Sequence, residues 1–222
     1  VGDACRDGSY AVKSPPFGSC SGFRACEPGH YCENALRHKC PSGTYGSISG
    51  LRNSSCSGHC QAGYYCPLAS ISATSNKCHK YNGGTKSAMN YTIASVYCPE
   101  GSTAPIPVPK GYYSIDINGS DDDATLGVET LRSDIKECPK GWYCPGPDSG
   151  LRTRCPGGTY GSTTGLSTAT CTAQCPAGYY CPEGSINPYE KPCGKDASYY
   201  CPLGSDRRQP TEEGFYAIDY VT

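Results

Sequence analysis

The chain has 222 residues, a formal net charge of −1 at pH 7, and only 26 leucine, isoleucine, valine and phenylalanine residues together. That share, about 12%, is below the ~20% under which an ordinary chain stays unfolded, so a conventional apolar core is excluded. A charge near zero without a basic stripe also argues against nucleic acid as a partner. Glycine (28), proline (19) and cysteine (18) predominate instead, which indicates short segments stabilised by local cross-links.

A short motif recurs three times and divides the chain. It reads GSYAVK at 8–13, GYYSID at 111–116 and GFYAID at 214–219, with 103 residues between successive copies. We name 8–110 repeat one and 111–213 repeat two. Tandem repeats of this kind are typical of elongated, rod-like proteins.

The predicted domains are an N-terminal segment 1–25 with Cys5 and Cys20, a cysteine-rich repeat unit 26–110 (modules 26–56 and 60–98), an acidic linker 111–137 that starts the next copy, a second cysteine-rich unit 138–213 (modules 138–171 and 175–201), and the start of an unfinished third unit at 214–222.

The cysteines follow the same repeat. Five of the seven spacings between successive cysteines are identical in the two sets, and each module opens on the pattern C-x-x-G-aromatic-Tyr-C, with His in the aromatic place at 26–32. The two sets are Cys26, Cys32, Cys40, Cys56, Cys60, Cys66, Cys78 and Cys98, and Cys138, Cys144, Cys155, Cys171, Cys175, Cys181, Cys193 and Cys201. The glycine suits a turn with positive φ between two close cysteines.

The pairing of these cysteines has more than one solution. We expect bonds from first to third and from second to fourth cysteine of a module, which gives Cys60–Cys78 and Cys66–Cys98. The competing scheme closes 40–56 and 155–171 and joins adjacent cysteines elsewhere. Four cysteines allow three connectivities, and sequence does not choose among them. Cys5 and Cys20 most simply pair with each other.

Structural disulfides are favoured over metal binding. No two cysteines have the C-x-x-C spacing of zinc ribbons and redox sites. The four histidines (His30, His38, His59 and His79) all lie in repeat one, so a metal site built on them would be missing from repeat two. We therefore predict no metal and no cofactor. Oxidised cysteines place the chain in an extracellular compartment, secreted or at the cell surface.

Three N-glycosylation sequons agree with that location: Asn53, Asn90 and Asn118. Loops rich in serine and threonine, such as 162–172, are candidates for O-linked sugar. The start at Val1 looks like a mature or trimmed N-terminus, and no apolar run approaches the ~18 residues of a membrane span. The sequence thus predicts a glycoprotein segment that is not inserted in a membrane.

Short two-stranded β-ribbons are the expected secondary structure, for example at 43–47 and 158–162. Proline and glycine interrupt most windows in which a helix could form, and 124–136 is the single helix candidate. The predicted fold is small, disulfide-rich and mostly irregular, with short β-ribbons arranged in an elongated tandem-repeat rod.

Catalytic and calcium-binding motifs were weighed and rejected. GSISG (46–50) and GSTTG (161–165) resemble nucleophile elbows but lack the central serine. The acidic run 118–129 offers oxygen ligands at calcium-loop spacing, with Glu129 at the twelfth place. However, Asp123 stands where the loop needs glycine, and Asn118 at the first place belongs to a sequon. A solvated linker is the better interpretation, and we predict no enzyme activity.

The string C-P-x-G-T-Y-G-S-x-x-G-L, followed by C-x-A-G-Y-Y-C-P, occurs at 40–67 and 155–182. It resembles the ephrin-receptor-like cysteine-rich repeat, in the wider group of growth-factor-receptor and TNF-receptor style disulfide modules, as in long arrays of large extracellular proteins of protists and algae. The resemblance implies a non-catalytic module for spacing, adhesion or assembly. We expect a self-associating fibre, coat or appendage; the alternative is a receptor or adhesin ectodomain that binds a protein or glycan.

Overall fold

The protein is described here by a computed structural model, which covers residues 8–13, 20–78, 96–119, 131–146 and 152–218. These residues contain short strands, turns and irregular chain, and they contain no helix. Each strand pairs with its sequence neighbour in a two-stranded ribbon. The ribbons are β1 (Ser9–Lys13) with β2 (Cys20–Ala25), β3 (His30–Glu33) with β4 (Leu36–Lys39), β5 (Thr44–Tyr45) with β6 (Gly58–His59), β7 (Tyr64–Tyr65) with β8 (Asn76–Lys77), β9 (Val96–Tyr97) with β10 (Ile106–Pro107), β11 (Tyr112–Ile115) with β12 (Asp134–Glu137), β13 (Trp142–Tyr143) with β14 (Thr153–Arg154), β15 (Thr159–Tyr160) with β16 (Ala173–Gln174), and β17 (Tyr199–Tyr200) with β18 (Gln209–Pro210).

The predicted class is confirmed: the chain is disulfide-rich and mostly irregular, with short β-ribbons. The two ribbons expected at 43–47 and 158–162 form over two residues each, as β5 and β15. The helix candidate 124–136 is wrong where it can be compared, because β12 occupies its last residues; 124–130 lies outside the described residues. β12 pairs with β11, and this pairing overrides the weak local preference of 124–136 for helix.

Eight disulfides join neighbouring cysteines in the chain, and this corrects the pairing from first to third and second to fourth. The second module has Cys60–Cys66 and Cys78–Cys98, not the crossed bonds that we expected. The others are Cys26–Cys32, Cys40–Cys56, Cys138–Cys144, Cys155–Cys171, Cys175–Cys181 and Cys193–Cys201. The proposed Cys5–Cys20 bond lies outside the described part, since Cys5 and the side chain of Cys20 are not described.

The turn inside C-x-x-G-x-x-C explains the adjacent pairing. Gly63 has φ +83°, and the N–H of Tyr64 donates to the carbonyl of Gln61 at 3.0 Å. This reversal brings the Cα atoms of Cys60 and Cys66 to 5.8 Å, within the normal range for a disulfide. A short ring also closes at a lower entropic cost than a long one. The glycine that suggested a turn therefore also determines the bond.

The described residues form two compact units. The first holds those within Val1–Lys80, Val96–Ile106 and Ile115–Asp134, and the second those within Pro107–Ser114 and Ile135–Thr222. Four disulfides lie in each unit, and none of the eight joins the first set of cysteines to the second. The expectation that each cysteine-rich repeat carries a complete set is confirmed for these sixteen residues.

Half-cystines make up most of the core. Fourteen of the seventeen buried apolar side chains among the described residues belong to cysteines; the other three are Ala73, Val108 and Ile115. Tyrosines are half-buried or exposed and contribute no fully buried side chain there. The disulfides consequently supply both the cross-links and much of the buried apolar surface.

Candidate functional site

A four-residue turn, Pro-x-Gly-Ser/Thr, is the recurrent building block of both units. In the turn that begins at Pro41, the N–H and the hydroxyl of Thr44 both donate to the Pro41 carbonyl, at 3.1 and 2.8 Å. Ser205 makes the same two bonds to Pro202. The pattern recurs at 41–44, 67–70, 99–102, 156–159, 182–185 and 202–205, with Ala69 in the glycine place of one copy. The sequence-based prediction of a turn concerned the glycine of C-x-x-G-aromatic-Tyr-C, and it missed this second turn, although Ser or Thr ends the Pro-x-Gly motif each time.

Four of these turns stack in pairs. A Cβ atom on Gly43 would lie 2.4 Å from the carbonyl oxygen of Gly101, and one on Gly158 would lie 2.2 Å from that of Gly204. Backbone bonds link the turns at 41–44 and 99–102 through Cys60: its N–H donates to the Gly43 carbonyl at 3.0 Å, and its carbonyl accepts from the Gly101 N–H at 2.9 Å. Gly43 and Gly158 therefore each serve both a left-handed turn and the close approach of a second turn.

A closing segment, Leu131–Arg132, completes the first compact unit. The N–H of Arg132 donates to the carbonyl of Cys78 at 2.8 Å, and its carbonyl accepts from the N–H of Cys98 at 2.9 Å. Leu131 packs against Gly63, where a Cβ would meet the Cβ of Leu131 at 3.0 Å. The Arg132 side chain is 2% exposed. The segment thus covers the last disulfide of repeat one.

The matching surface of the second compact unit has no such cover among the described residues. Gly178 corresponds to Gly63, and a Cβ there would have no atom within 4 Å. The carbonyl of Cys193 and the N–H of Cys201 correspond to the groups that Arg132 binds, and neither has a backbone hydrogen bond in the described part of the chain. Among the described residues of unit two, the backbone groups that Leu131–Arg132 covers in unit one are therefore left without a matching segment.

Two tyrosines extend this surface. Tyr199 and Tyr200 are 40% and 43% exposed, whereas their counterparts Val96 and Tyr97 are half-buried. We name Gly178, Cys193, Tyr199, Tyr200 and Cys201 the open edge. Unpaired backbone next to exposed aromatic rings is a surface on which another chain segment can pair.

An arginine–tyrosine contact recurs in the two repeats. Arg37 lies over the ring of Tyr10 at 5.6 Å, and its counterpart Arg152 lies over Tyr113 at 5.3 Å. Arg152 also lies 4.8 Å from the centre of the Trp142 ring. Cation–π attraction of this kind stabilises by about 0.5–1 kcal/mol at exposed sites. The contact of arginine with the tyrosine at the start of each repeat is thus a shared feature of the scaffold.

An ion pair distinguishes repeat one at the same place. Arg37 bonds the carboxylate of Glu27, and His30 lies 3.9 Å from that carboxylate. A backbone hydrogen bond and then the positive charge of Arg37 lower the pKa of Glu27 below its ordinary value of 4.5. Repeat two has Pro139 in place of Glu27. The pair is therefore specific to repeat one.

A cavity of about 480 Å³ opens at the surface of the second compact unit. Its lining residues are Lys140, Tyr160, Ser162, Ile186, Asn187, Pro188 and Tyr189. None of them belongs to the open edge. The volume falls within the range of small-molecule sites, about 300–1,000 Å³.

The sequence-predicted sites have mixed outcomes. Asn53 and Asn118 are exposed, whereas Asn90 lies outside the described residues. The Oδ1 of Asn53 accepts a hydrogen bond from the N–H of Ser55, and its amide nitrogen takes no part in that bond. Glycosylation of all three, and O-linked sugar at 162–172, stay predictions.

Metal sites and membrane spans are features that the sequence argued against. Among the described residues, no three histidine, cysteine, aspartate or glutamate side chains group as metal ligands. His79 and most of the acidic run 118–129 lie outside them. The described residues include no helix that is long and apolar enough to cross a membrane. The absence of enzyme activity and of a cofactor stays a prediction.

Comparison of the chain with models of known protein families and with curated protein sequences found no match.

Proposed function

We propose that this chain is a non-catalytic extracellular structural module that associates with copies of itself head to tail. The open edge carries the proposal, because unit one has the same backbone groups covered by Leu131–Arg132. A segment that makes the same two hydrogen bonds to Cys193 and Cys201 would complete unit two in the same way.

The start of another copy supplies a segment of the right kind. Counting back from the first cysteine of each repeat places Cys20 where Arg132 stands, and β2 (Cys20–Ala25) where β12 stands. Phe23 on β2 is 60% exposed. In the proposed contact, this strand reaches the open edge of a neighbouring copy. Contacts between different surfaces of identical chains do not close, and they propagate into filaments.

Three further features support a structural role outside the cell. Eight disulfides are typical of proteins in oxidising compartments. Disulfide-rich units with little other core keep their fold without a partner, so association can be reversible. Tyrosine also buries a large area with little loss of side-chain freedom, which suits interfaces. N-linked sugar at exposed Asn53 or Asn118 fits this location.

A receptor or adhesin ectodomain was the alternative, and an exposed apolar patch on one repeat alone would favour it. Exposed large apolar side chains occur in both units instead, for example Leu68 and Ile71 in the first and Ile186 and Leu203 in the second. Apolar exposure therefore does not favour the alternative, and assembly is the better-supported function.

Sedimentation velocity of the purified chain over a range of concentrations tests the proposal. We expect the sedimentation coefficient to rise with concentration, and negative-stain images to show linear particles. Tyr200→Asp places a charge on the open edge and should abolish the rise. Leu68→Asp, at a position in unit one that is also exposed, is the control and should retain the rise. A monomer at every concentration, or equal loss in both variants, would refute head-to-tail assembly.

A further inference from the structure

We propose that the cavity of the second compact unit is a binding site for a sugar ring that carries an anionic group. The site is separate from the open edge, and its function does not depend on self-association. Its lining combines an exposed aromatic ring, hydrogen-bonding side chains and one cation. Small-molecule sites have this composition, an apolar wall with a few placed polar groups.

Tyr189 is the platform of the site. Its side chain is 63% exposed, although its position is constrained from two sides. The ring packs edge-on against Tyr179, with centroids 5.2 Å apart and an interplanar angle of 86°. Its backbone N–H donates to the Oδ1 of Asn187 at 3.0 Å. A positioned ring with a free face can stack on the C–H face of a sugar with little loss of side-chain entropy.

Polar groups lie around this ring. Asn187 uses Oδ1 within its own turn, and no hydrogen bond of its amide nitrogen is found among the described residues. Ser162 is held by Thr172, whose hydroxyl accepts from the Ser162 N–H at 3.0 Å and contacts its Oγ at 3.4 Å. Tyr160, which carries a hydroxyl, lines the same cavity. Vicinal sugar hydroxyls need both donors and acceptors, and these side chains offer both.

Lys140 gives the site its charge preference. It is the one charged residue of the lining; Glu190 follows Tyr189 in sequence but does not line the cavity. Within the described residues Lys140 forms no ion pair. An exposed ammonium next to an aromatic platform favours the binding of a sugar that carries a carboxylate or sulfate over that of a neutral sugar.

Repeat one shows that these side chains are not needed for the fold. Its matching loop has the same turn, since the N–H of Thr74 donates to the Ser72 Oγ at 3.2 Å as Tyr189 does to Asn187. The positions that match Lys140, Asn187 and Tyr189 are Pro28, Ser72 and Thr74 in repeat one, whereas Tyr160, Ser162 and Ile186 match Tyr45, Ser47 and Ile71. The scaffold residues are thus kept, while the platform, the amide and the cation occur in repeat two alone.

Isothermal titration of the full chain with three oligosaccharides tests the site: tetragalacturonate, a chondroitin sulfate tetrasaccharide and neutral cellotetraose. We expect at least one acidic probe to bind with a Kd below about 5 mM, and cellotetraose to bind at least about tenfold more weakly. Tyr189→Thr should weaken binding of the acidic probe about tenfold or more, and Lys140→Pro should remove its preference over cellotetraose. Both variants install residues that repeat one already carries.

Two controls complete the design. Thr74→Tyr introduces the same ring on the matching turn of repeat one and should leave binding unchanged. Tyr200→Asp disrupts the open edge and should also leave it unchanged, so that failure of assembly and failure of this site are separable. Binding of none of the three probes, binding that Tyr189→Thr does not weaken, or equal affinity for cellotetraose would each overturn the proposal.

Discussion

The carbonyl oxygen of Gly101 lies 2.4 Å from the point at which a Cβ atom on Gly43 would stand. Real Cβ atoms do not approach a carbonyl oxygen so closely. A Cβ atom on Gly43 and the carbonyl of Gly101 are both fixed by the backbone, so neither can rotate away from the other. Gly43 also has φ +86°. Two independent constraints thus act on one residue, the handedness of its own turn and the contact with a turn far along the chain.

Gly43→Ala should therefore lower the free energy of unfolding by more than the φ angle alone implies. A left-handed conformation costs an L-residue about 1–2 kcal/mol, and separation of the stacked turns adds to that cost. Gly178→Ala is the matched control, because Gly178 has φ +82° and no atom within 4 Å of its Cβ position. In thermal unfolding we expect a loss of about 1–2 kcal/mol for Gly178→Ala and at least twice that for Gly43→Ala. Equal losses would mean that the stacking contact is unimportant.

Ala69→Gly should stabilise the protein. Ala69 has φ +65° in the place where repeat two has Gly184, at φ +79°. Glycine adopts this conformation without the steric cost of a Cβ atom, which outweighs its greater freedom in the unfolded chain. We expect a gain of about 1 kcal/mol and a loss of similar size for Gly184→Ala, measured as shifts of the unfolding midpoint. A lower midpoint for Ala69→Gly would contradict this account.

Stability should depend on the disulfides and not on metal. Replacing Cys60 and Cys66 together by serine should cost about 2 kcal/mol, and replacing Cys78 and Cys98 about 3 kcal/mol, because the second bond closes the longer loop. Reductant near neutral pH should unfold both units, whereas EDTA should have no effect. Peptide mapping without reduction checks the pairing; a free thiol among these sixteen cysteines, or a bond between the two sets, would refute it.

The ion pair of Glu27 with Arg37 should contribute a small, acid-sensitive increment of stability. The pKa of Glu27 is lowered in the folded protein, so its contribution is present above pH 4.5 and is lost as the pH falls through the folded value. Because the pair is well exposed, Glu27→Gln should cost no more than about 0.5 kcal/mol at pH 7. Denaturant titrations of both proteins should converge below pH 4.5. A difference that persists or grows in acid would contradict this cause.

Local patterns in the sequence were sufficient to predict the class of fold. Cysteine density and the shortage of large apolar residues predicted short segments that local disulfides stabilise in place of a conventional apolar core. The glycine of C-x-x-G-x-x-C predicted a left-handed turn, because no other residue adopts that conformation without cost. Both predictions concern residues within a few positions of each other, where geometry follows from composition.

Contacts between distant segments were decided only by the tertiary structure. The sequence left the pairing of the four cysteines of a module open, and the structure joins Cys78 to Cys98 across a separation of 20 residues. The stacking of Gly43 on Gly101 has no local signature, since each turn is complete without the other. Lys140 and Tyr189 likewise come together only because separate loops of unit two border one cavity. Sequence determines what each turn can be, whereas the packing of turns determines which side chains meet, because that choice depends on contacts that no short window of sequence contains.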